Sequence, residues 1–473
     1  MSTTEHGRYA NRSLADRREG LDNSHVVSYK GRLRLVPKPL RRVVQAVVDP
    51  VRRIANAAFY RLRPSRISTT AQWLWALVSA IAARRQATGL TVAVDITPLY
   101  GHRTGIGWYL HCLLAELCER EDLHLRLYGH SVFVHPNDEN ISGNLPRGPA
   151  ITHVAQWVPD DLTMSRDWLL RLLRPLEPWL IAADRNRVVF APNFIPPEKF
   201  RRAAGALVVT VHDLSFRSFS WTTQDETRRA LAARLDSALA RARLVLTDSE
   251  AVQRELIADG SRPAEAFRAI PLGPGHLSAA SEGVLPAAVP DRFALHVGTF
   301  EPRKNLSMLL DAWEQLHASS RVPLPLVLCG AAGWKNDDLR PILARGENEG
   351  WLINLGYVSD VELAELYRRA VVVCCPSLYE GFGMPVLEAM GAGTPVLASD
   401  IPVHREIAGA AAVLLPSNDP ARWATEAAAL ASDDDRRREL SARGRSRAGE
   451  FSWRRAATAT AAAWAAAAEI RPA

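Results

Sequence analysis

From residue 90 onward, short apolar runs alternate with longer stretches in which apolar positions return at helical spacing. The runs Leu90–Val94, Leu123–Tyr128, Val188–Ala191, Leu207–Val211 and Leu244–Thr247 read as strands. Helices are predicted at Trp108–Glu119, Thr223–Ala242 and Glu250–Ala258. The strands are near-continuous in their hydrophobicity rather than alternating, which marks a parallel sheet covered on both faces. Residues 271–291 break the rhythm with proline, glycine and small residues, as an interdomain linker does. The alternation then resumes with strands at Phe293–Gly298, Leu324–Cys329, Ile353–Gly356, Val371–Cys375 and Pro395–Ser399, and helices at Asn305–Ala318, Asp360–Arg369 and Met384–Met390. An alanine-rich stretch, Trp453–Ala468, is helical by propensity. The pattern is α/β, with two doubly wound, Rossmann-like domains. Its boundaries fall at 1–89 (extension), 90–275 (N-terminal domain), 276–291 (linker), 292–452 (C-terminal domain) and 453–473 (last helix).

A chain of 473 residues suits two or three domains, and 47% hydrophobic with 23% charged residues is a globular composition. The five cysteines (112, 118, 329, 374 and 375) have no metal-ligand spacing; adjacent Cys374 and Cys375 point to opposite faces of a strand, as reduced core thiols of a cytoplasmic protein would. The first thirty residues lack the apolar segment of a secretory leader, and Ala71–Ala83 is too short to span a bilayer. Charge is uneven. Residues 1–90 hold 17 basic and 5 acidic residues, +12, whereas the remainder holds 41 and 46, −5. Cations interleaved with apolar pairs across residues 30–85, with Trp73 and Trp75, suit a helical extension lying on an anionic membrane surface. A partly disordered arm, or a helix docked on the body or on a partner, is the alternative. No recognition motif accompanies the charge, so nucleic acid is not expected as a partner.

Four segments carry chemistry. Asp95-Ile96-Thr97-Pro98 with Gly105 and Gly107 closes a strand with glycines that permit close backbone approach, beside the cationic Arg103-Thr104 pair. An ordinary tight turn would look the same. Thr210-Val211-His212-Asp213 places a histidine and a carboxylate at a strand end, for proton chemistry or as a satisfied structural pair. In His296-Val297-Gly298 through Arg303-Lys304-Asn305, a strand ends at glycine, two cations follow, and Asn305 is an eligible N-cap. Those cations suit a diphosphate, or an exposed surface. Finally, in EGFGMPVLE, Glu380 and Glu388 bracket a glycine turn and a helix start with Pro385 in its first turn. Both carboxylates could simply favour the helix dipole. Asp337-Asp338 and Asp433-Asp434-Asp435 read as solvated faces or caps, and neither a metal nor a cofactor is expected.

The Glu-x7-Glu spacing of EGFGMPVLE, together with the other segments in the same order, resembles the retaining nucleotide-sugar glycosyltransferases of family 4, group 1, over roughly residues 90–465. The resemblance implies the GT-B architecture, in which two Rossmann-like domains face a cleft and the last helix, here 453–468, returns to the first domain. It implies His212 and Glu380 as the residues at the transferred sugar. It further implies donor contacts from Gly105, Gly107, Gly298, Arg303, Lys304, Gly381, Phe382 and Gly383, and ribose contacts from Glu388. The function implied is retaining, metal-independent transfer of a sugar from a nucleoside-diphosphate sugar to a glycan or polyprenyl-linked acceptor in bacterial surface-polysaccharide assembly. HDLSF and GTFEPRKN favour mannosyl- or rhamnosyltransferases, with GDP-mannose the first donor and UDP-GlcNAc, UDP-glucose or dTDP-rhamnose the alternatives. A cytoplasmic enzyme, peripheral on the inner face of the plasma membrane where the extension lies in lipid, follows. A non-catalytic nucleotide-sugar-binding protein docked to a membrane assembly is the rival. Alanine at Glu380 or Lys304 is expected to abolish transfer with the fold intact.

Overall fold

The computed structural model describes residues 89–469 apart from 100–104, 130–144, 147, 156–185, 198–199, 201–202, 204, 220–224, 276–283, 320–323, 332 and 334–336. The basic extension, the Arg103-Thr104 pair and half of the expected linker therefore lie outside the described residues.

Two parallel sheets organise the rest. The first comprises β1 (Leu90–Asp95), β2 (Leu123–Tyr128), β3 (Ile151–Ala155), β4 (Val188–Ala191), β5 (Ala206–Val211), β6 (Leu244–Thr247) and β7 (Phe267–Ala269), in the order β3-β2-β1-β4-β5-β6-β7. The second comprises β8 (Ala294–Val297), β9 (Leu326–Cys329), β10 (Leu352–Gly356), β11 (Val372–Cys375), β12 (Val396–Ser399) and β13 (Val413–Leu415), in the order β10-β9-β8-β11-β12-β13. Helices α1 (Gly105–Leu117), α2 (Asp225–Arg241) and α3 (Glu250–Ala258) serve the first sheet. Those following β8 are α4 (Leu306–Ser319), α5 (Arg340–Glu349), α6 (Asp360–Arg369), α7 (Met384–Ala392), α8 (Pro402–Ala408), α9 (Pro420–Ser432), α10 (Asp434–Ala448) and α11 (Trp453–Glu469).

Strands buried on both faces explain the unbroken apolar runs: Val92, Val94, Val188, Phe190, Leu295 and Val373 are all buried within the sheets. On α1, Tyr109, Leu110, Leu113, Leu114 and Leu117 form the buried stripe, each worth about 1.5–3 kcal/mol in removed apolar surface where fully covered. Helix ends are specified locally. Ser359 and Glu362 close a capping box on α6, and Asp433 caps α10 through the Arg436 N–H. The last helix, α11, lies on α1, β4 and β5 of the first sheet, with Trp464 buried and its ring 5.0 Å from Phe190. Its small residues Ala456, Ala457 and Ala461 allow that close approach.

In each sheet the strand order reverses once, between β1 and β4 and between β8 and β11. Strands that diverge to opposite sides at such a point leave a crevice at their C-terminal ends, where ligands of open α/β sheets bind. The β8/β11 register extends only from Val372–Ala294 to Val373–Leu295, so these strands part before residue 296.

Some elements differ from the sequence expectation. Helix α1 begins at Gly105 rather than Trp108, placing the two glycines in its first turn. Three strands, β3, β7 and β13, and helices α8 and α9 were not anticipated, while the acidic runs Asp337-Asp338 and Asp433-Asp434-Asp435, read as solvated faces or caps, stand at the starts of α5 and α10. β7 and β13 span three residues each, too short for any periodicity. Cys118, Cys329, Cys374 and Cys375 are buried free thiols, and Cys112 is partly buried.

Candidate active site

Strand β8 delivers His296, after which the chain bends at Gly298 and makes one tight turn over Pro302–Lys304. Asn305 follows in the left-handed region at φ 57°, which asparagine tolerates better than most residues. Its side chain does not cap α4 as the sequence suggested. The amide nitrogen donates to the carbonyls of Pro376 (3.1 Å) and Ser417 (2.7 Å), binding the cationic turn to two neighbouring loops. The Leu378 N–H reaches the Arg303 carbonyl at 2.8 Å, so the turn and the strand end after β11 are clamped together.

Glu380 is the hub of what those loops bring together. Lys304 Nζ donates to its Oε1 at 2.5 Å, Ser377 Oγ donates to the same oxygen at 2.6 Å, and Arg303 donates to Oε2 at 2.9 Å. Burial opposes a charge there, yet Lys304 and Arg303 outweigh it and hold the Glu380 carboxyl well below the usual carboxylate range. Arg303 also pairs with Glu301 at 2.6 Å. Burial works to lower the Arg303 pKa, but Glu380 and Glu301 raise it on balance. Burial dominates at Glu301 and raises its pKa. Two cations and two carboxylates thus face one another across the end of β8. An incoming phosphate can compete for the cations and release the carboxylate for hydroxyl groups.

A small, open depression lies over this cluster, lined by His296, Lys304, Ser377, Glu380, Gly383 and His404 among others. Gly298 borders it: a Cβ there would come 3.6 Å from Lys304 Cε and 3.9 Å from His296 Nε2. Gly383, at φ 86°, starts α7 in a conformation that only glycine adopts cheaply, directly over the His404 ring. His404 holds the Ser399 carbonyl at 2.9 Å, and burial lowers its pKa. Phe382 turns its ring into the core against Phe451, 6.1 Å away, leaving only its backbone for a ligand. Glu388, one turn into α7, accepts the Tyr367 hydroxyl at 2.8 Å and abuts Gly275, where a Cβ would clash with its Oε1. Burial pushes the Glu388 carboxyl up to about 7, against the pull of the Tyr367 hydrogen bond.

The opposing wall belongs to the first sheet. His212 follows β5 with both ring nitrogens engaged: Nδ1 with Asp248 at 2.6 Å and Nε2 with the Pro192 carbonyl at 2.7 Å. A carbonyl only accepts, so Nε2 carries a hydrogen, and the remaining proton is shared between Nδ1 and the carboxylate. Burial disfavours the charged imidazole, but Asp248 and the Pro192 bond prevail and raise its pKa. The Tyr109 ring lies 4.8 Å away, edge-on, and its hydroxyl meets Thr210 Oγ1 at 3.1 Å. Gly105 and Gly107 occupy the same helical turn region just before Tyr109. Asp213 is engaged locally, accepting from the N–H and Oγ of Ser215.

The two walls touch. A Cβ on Gly381 would sit 1.9 Å from the His212 carbonyl, so only glycine fits there. Ser249 Oγ donates to the Gly381 carbonyl at 2.7 Å. The Tyr379 hydroxyl accepts from the Leu214 N–H and donates to Glu255, both at 3.0 Å. The Glu406 carboxylate of α8 accepts the N–H groups of Glu250 and Ala251, each at 2.8 Å, supplying the first turn of α3 from the other half of the molecule.

Sequence reasoning thus named the residues of both walls but missed Ser377, Asp248, Ser249, Tyr379, His404 and Glu406. The Ser249 N-cap in Thr247-Asp248-Ser249-Glu250 was legible as a strand-to-helix signal. Asp248, Tyr379 and Glu406 join positions far apart in sequence, whereas Ser377 bonds Glu380 three residues on and His404 bonds Ser399 five residues back, neither with a pattern that marks it.

The chain is similar to several known proteins. The model of the family described as glycosyl transferases group 1 matches residues 281–447. The O-antigen chain mannosyltransferase B of Escherichia coli is 34% identical over 298 residues, covering 61% of this chain and 77% of that one. The serotype-specific mannosyltransferase WbdA of Escherichia coli is 33% identical over 170 residues, 35% of this chain and only 21% of that longer relative. Among solved structures, Anabaena HepE in complex with UDP and glucose aligns with a TM-score of 0.58 at 18% identity, covering 80% of this chain and 100% of that one. Sucrose-phosphate synthase from Thermosynechococcus elongatus aligns with a TM-score of 0.58 at 20% identity, covering 80% and 98%. At these identities the structural likeness establishes the fold, GT-B.

Proposed function

The chain belongs to the group 1 glycosyl transferases, and from that premise we propose that it transfers mannose from GDP-mannose, with retention, to a glycan or polyprenyl-linked acceptor in bacterial surface-polysaccharide synthesis. The observation that carries the reading is the Lys304–Glu380–Arg303 cluster at the crevice where β8 and β11 part. On this reading the donor diphosphate takes Arg303 and Lys304 as counter-charges, which neutralise the leaving group without a metal ion. As the cations shift toward phosphate, the Glu380 oxygens become free to accept sugar hydroxyls. Backbone N–H groups along Gly381-Phe382-Gly383 and the close approach at Gly298 leave room for the sugar and phosphate. Glu388 accepts the ribose hydroxyls. His212 closes the far side of the transferred sugar, and the Gly105–Gly107 turn faces the diphosphate and acceptor. The acceptor hydroxyl attacks from the face the nucleotide leaves, and the departing phosphate helps take its proton. Contact between the walls at Gly381 and Ser249 excludes water that would hydrolyse the donor.

Mannose is favoured by the relatives, whose names describe mannosyltransferases. A lipid-linked acceptor at the inner membrane face is supported by the basic, apolar composition of residues 30–85. No helix among the described residues is long and apolar enough to cross a membrane. A thermal-shift screen of nucleotide sugars, with turnover followed by mass spectrometry, tests the reading. Stabilisation by GDP-mannose above UDP- and dTDP-sugars, with mannosyl transfer, is the expected result. Preference for a UDP- or dTDP-sugar overturns the donor, and binding without turnover on any acceptor favours a non-catalytic binding protein.

A further inference from the structure

His296 has a feature the roles above leave unused. Its Nδ1 is bonded to the Cys374 carbonyl at 2.9 Å, whereas its Nε2 is buried with no hydrogen-bond partner. Buried polar atoms are usually hydrogen-bonded, so this nitrogen is available to an incoming donor. The position allows the first bond: β8 and β11 have stopped pairing by residue 296, and the imidazole reaches across the gap to the Cys374 carbonyl. The carbonyl can only accept, so Nδ1 bears the hydrogen. Burial, with the Lys304 charge nearby, lowers the imidazole pKa to about 4, leaving the ring neutral. Nε2 is therefore a bare lone pair bordering the depression over Glu380, beside Gly298 and Lys304.

A lone pair cannot face an ionised phosphate oxygen, which also only accepts. It requires a donor, and the donors a sugar carries are hydroxyls. Two parts of a nucleotide sugar offer hydroxyls: the ribose and the transferred sugar. Glu388, the carboxylate assigned to the ribose, does not line this depression, whereas Glu380, assigned to the sugar, does. We propose that His296 Nε2 accepts a hydrogen bond from a hydroxyl of the transferred sugar, making His296 and Glu380 a pair of acceptors that position it. This rests on the nucleotide-sugar reading of the site.

The tautomer supplies a clean pair of variants. His296→Asn keeps a donor at the place of Nδ1, and with it the bond to Cys374, but removes the second acceptor. His296→Gln restores an acceptor at the place of Nε2. Affinities for GDP-mannose and for GDP are measured by calorimetry on both variants and on wild type, with thermal melts to check folding. The expected result is a loss of about tenfold or more in GDP-mannose affinity for His296→Asn, unchanged GDP affinity, and partial recovery in His296→Gln. Equal losses for both ligands, or no loss, overturns the proposal while leaving the donor reading intact. Wild-type protein that binds neither GDP-mannose nor any other nucleotide sugar overturns both. Nitrogen NMR of the wild-type imidazole gives an answer even if a variant fails to fold. The Nε2 resonance should move on adding GDP-mannose and stay with GDP, and an Nε2 indifferent to GDP-mannose overturns the proposal.

Discussion

The two strand-order reversals are topological equivalents, yet the groups at and beside them are in opposite states. On the first sheet, His212, Asp248, the Pro192 carbonyl, Tyr109 and Thr210 satisfy one another. On the second, His296 keeps an unpartnered nitrogen, and two cations hold two carboxylates under a hollow. A saturated network holds its shape and has little left to offer a ligand. A network of strong but exchangeable ion pairs next to an orphaned acceptor has a great deal to offer. The difference argues that the second crevice supplies the exchangeable contacts and the first a fixed wall facing them, although the strand order alone would assign both the same task.

The sharpest way to break this contrast is Lys304→Ala. It should lower transfer about 100- to 1,000-fold, as loss of a group that stabilises developing charge does, and steady-state rates check it. Transfer within a few-fold of wild type would deny the second crevice its role. The expectation that alanine at Glu380 spares the fold changes with the structure. Glu380 is 8% exposed and holds two cations, so Glu380→Ala leaves buried charge unpaired, at about 3–5 kcal/mol of stability. Glu380→Gln is the better probe of chemistry.

On the first crevice the balance should invert. Asp248→Ala removes the partner of His212 Nδ1 and is expected to lower stability by about 1–3 kcal/mol in urea unfolding, with a smaller rate loss than Lys304→Ala gives. A rate loss equal to that of Lys304→Ala, at unchanged stability, would make the first wall an equal partner in the chemistry.

The smallest effect concerns pH. The Glu388 carboxyl lies above its ordinary 4.5, at about 7. Its proton favours the folded state, so that stabilisation is fully present below pH 4.5 and is lost as pH rises to about 7. Nucleotide binding should respond in the opposite sense, because the ionised carboxylate accepts ribose hydroxyls. GDP affinity should therefore rise several-fold, about 3- to 10-fold, between pH 6 and 8, and Glu388→Gln should flatten the profile. A wild-type profile already flat would remove Glu388 from the nucleotide contact.

The strand runs Leu123–Tyr128, Val188–Ala191 and Leu244–Thr247 were legible to the residue because each is an apolar-rich run bounded by charged residues, glycine or proline, even though the first carries His124 and Arg126 within it. The short strands β7 and β13 were not, since they are held by a single longer neighbour rather than by their own composition. At the site, Arg303, Lys304 and Glu380 could be named because charged residues beside glycines stand out. Their mutual bonding could not, because it depends on how two loops 76 residues apart meet. Glu406 illustrates the limit most clearly: in sequence it is one more helical glutamate, and in space it completes a helix in the other half.

The last helix carries a mechanical consequence. After building the second sheet the chain returns to lie on the first, so two covalent crossings join the halves, one near residues 271–291 and one just before Trp453. The Trp453 indole donates to the Pro274 carbonyl at 2.7 Å, pinning the crossings side by side. Two bodies joined by one strand can tumble freely, but bodies joined by two pinned strands can only swing, as a door does about its post. Gly381 and the His212 carbonyl meet close to that post, since Phe382 packs on Phe451 and Tyr109 stands between His212 and Trp453, so a small swing there moves the more distant parts of the halves furthest.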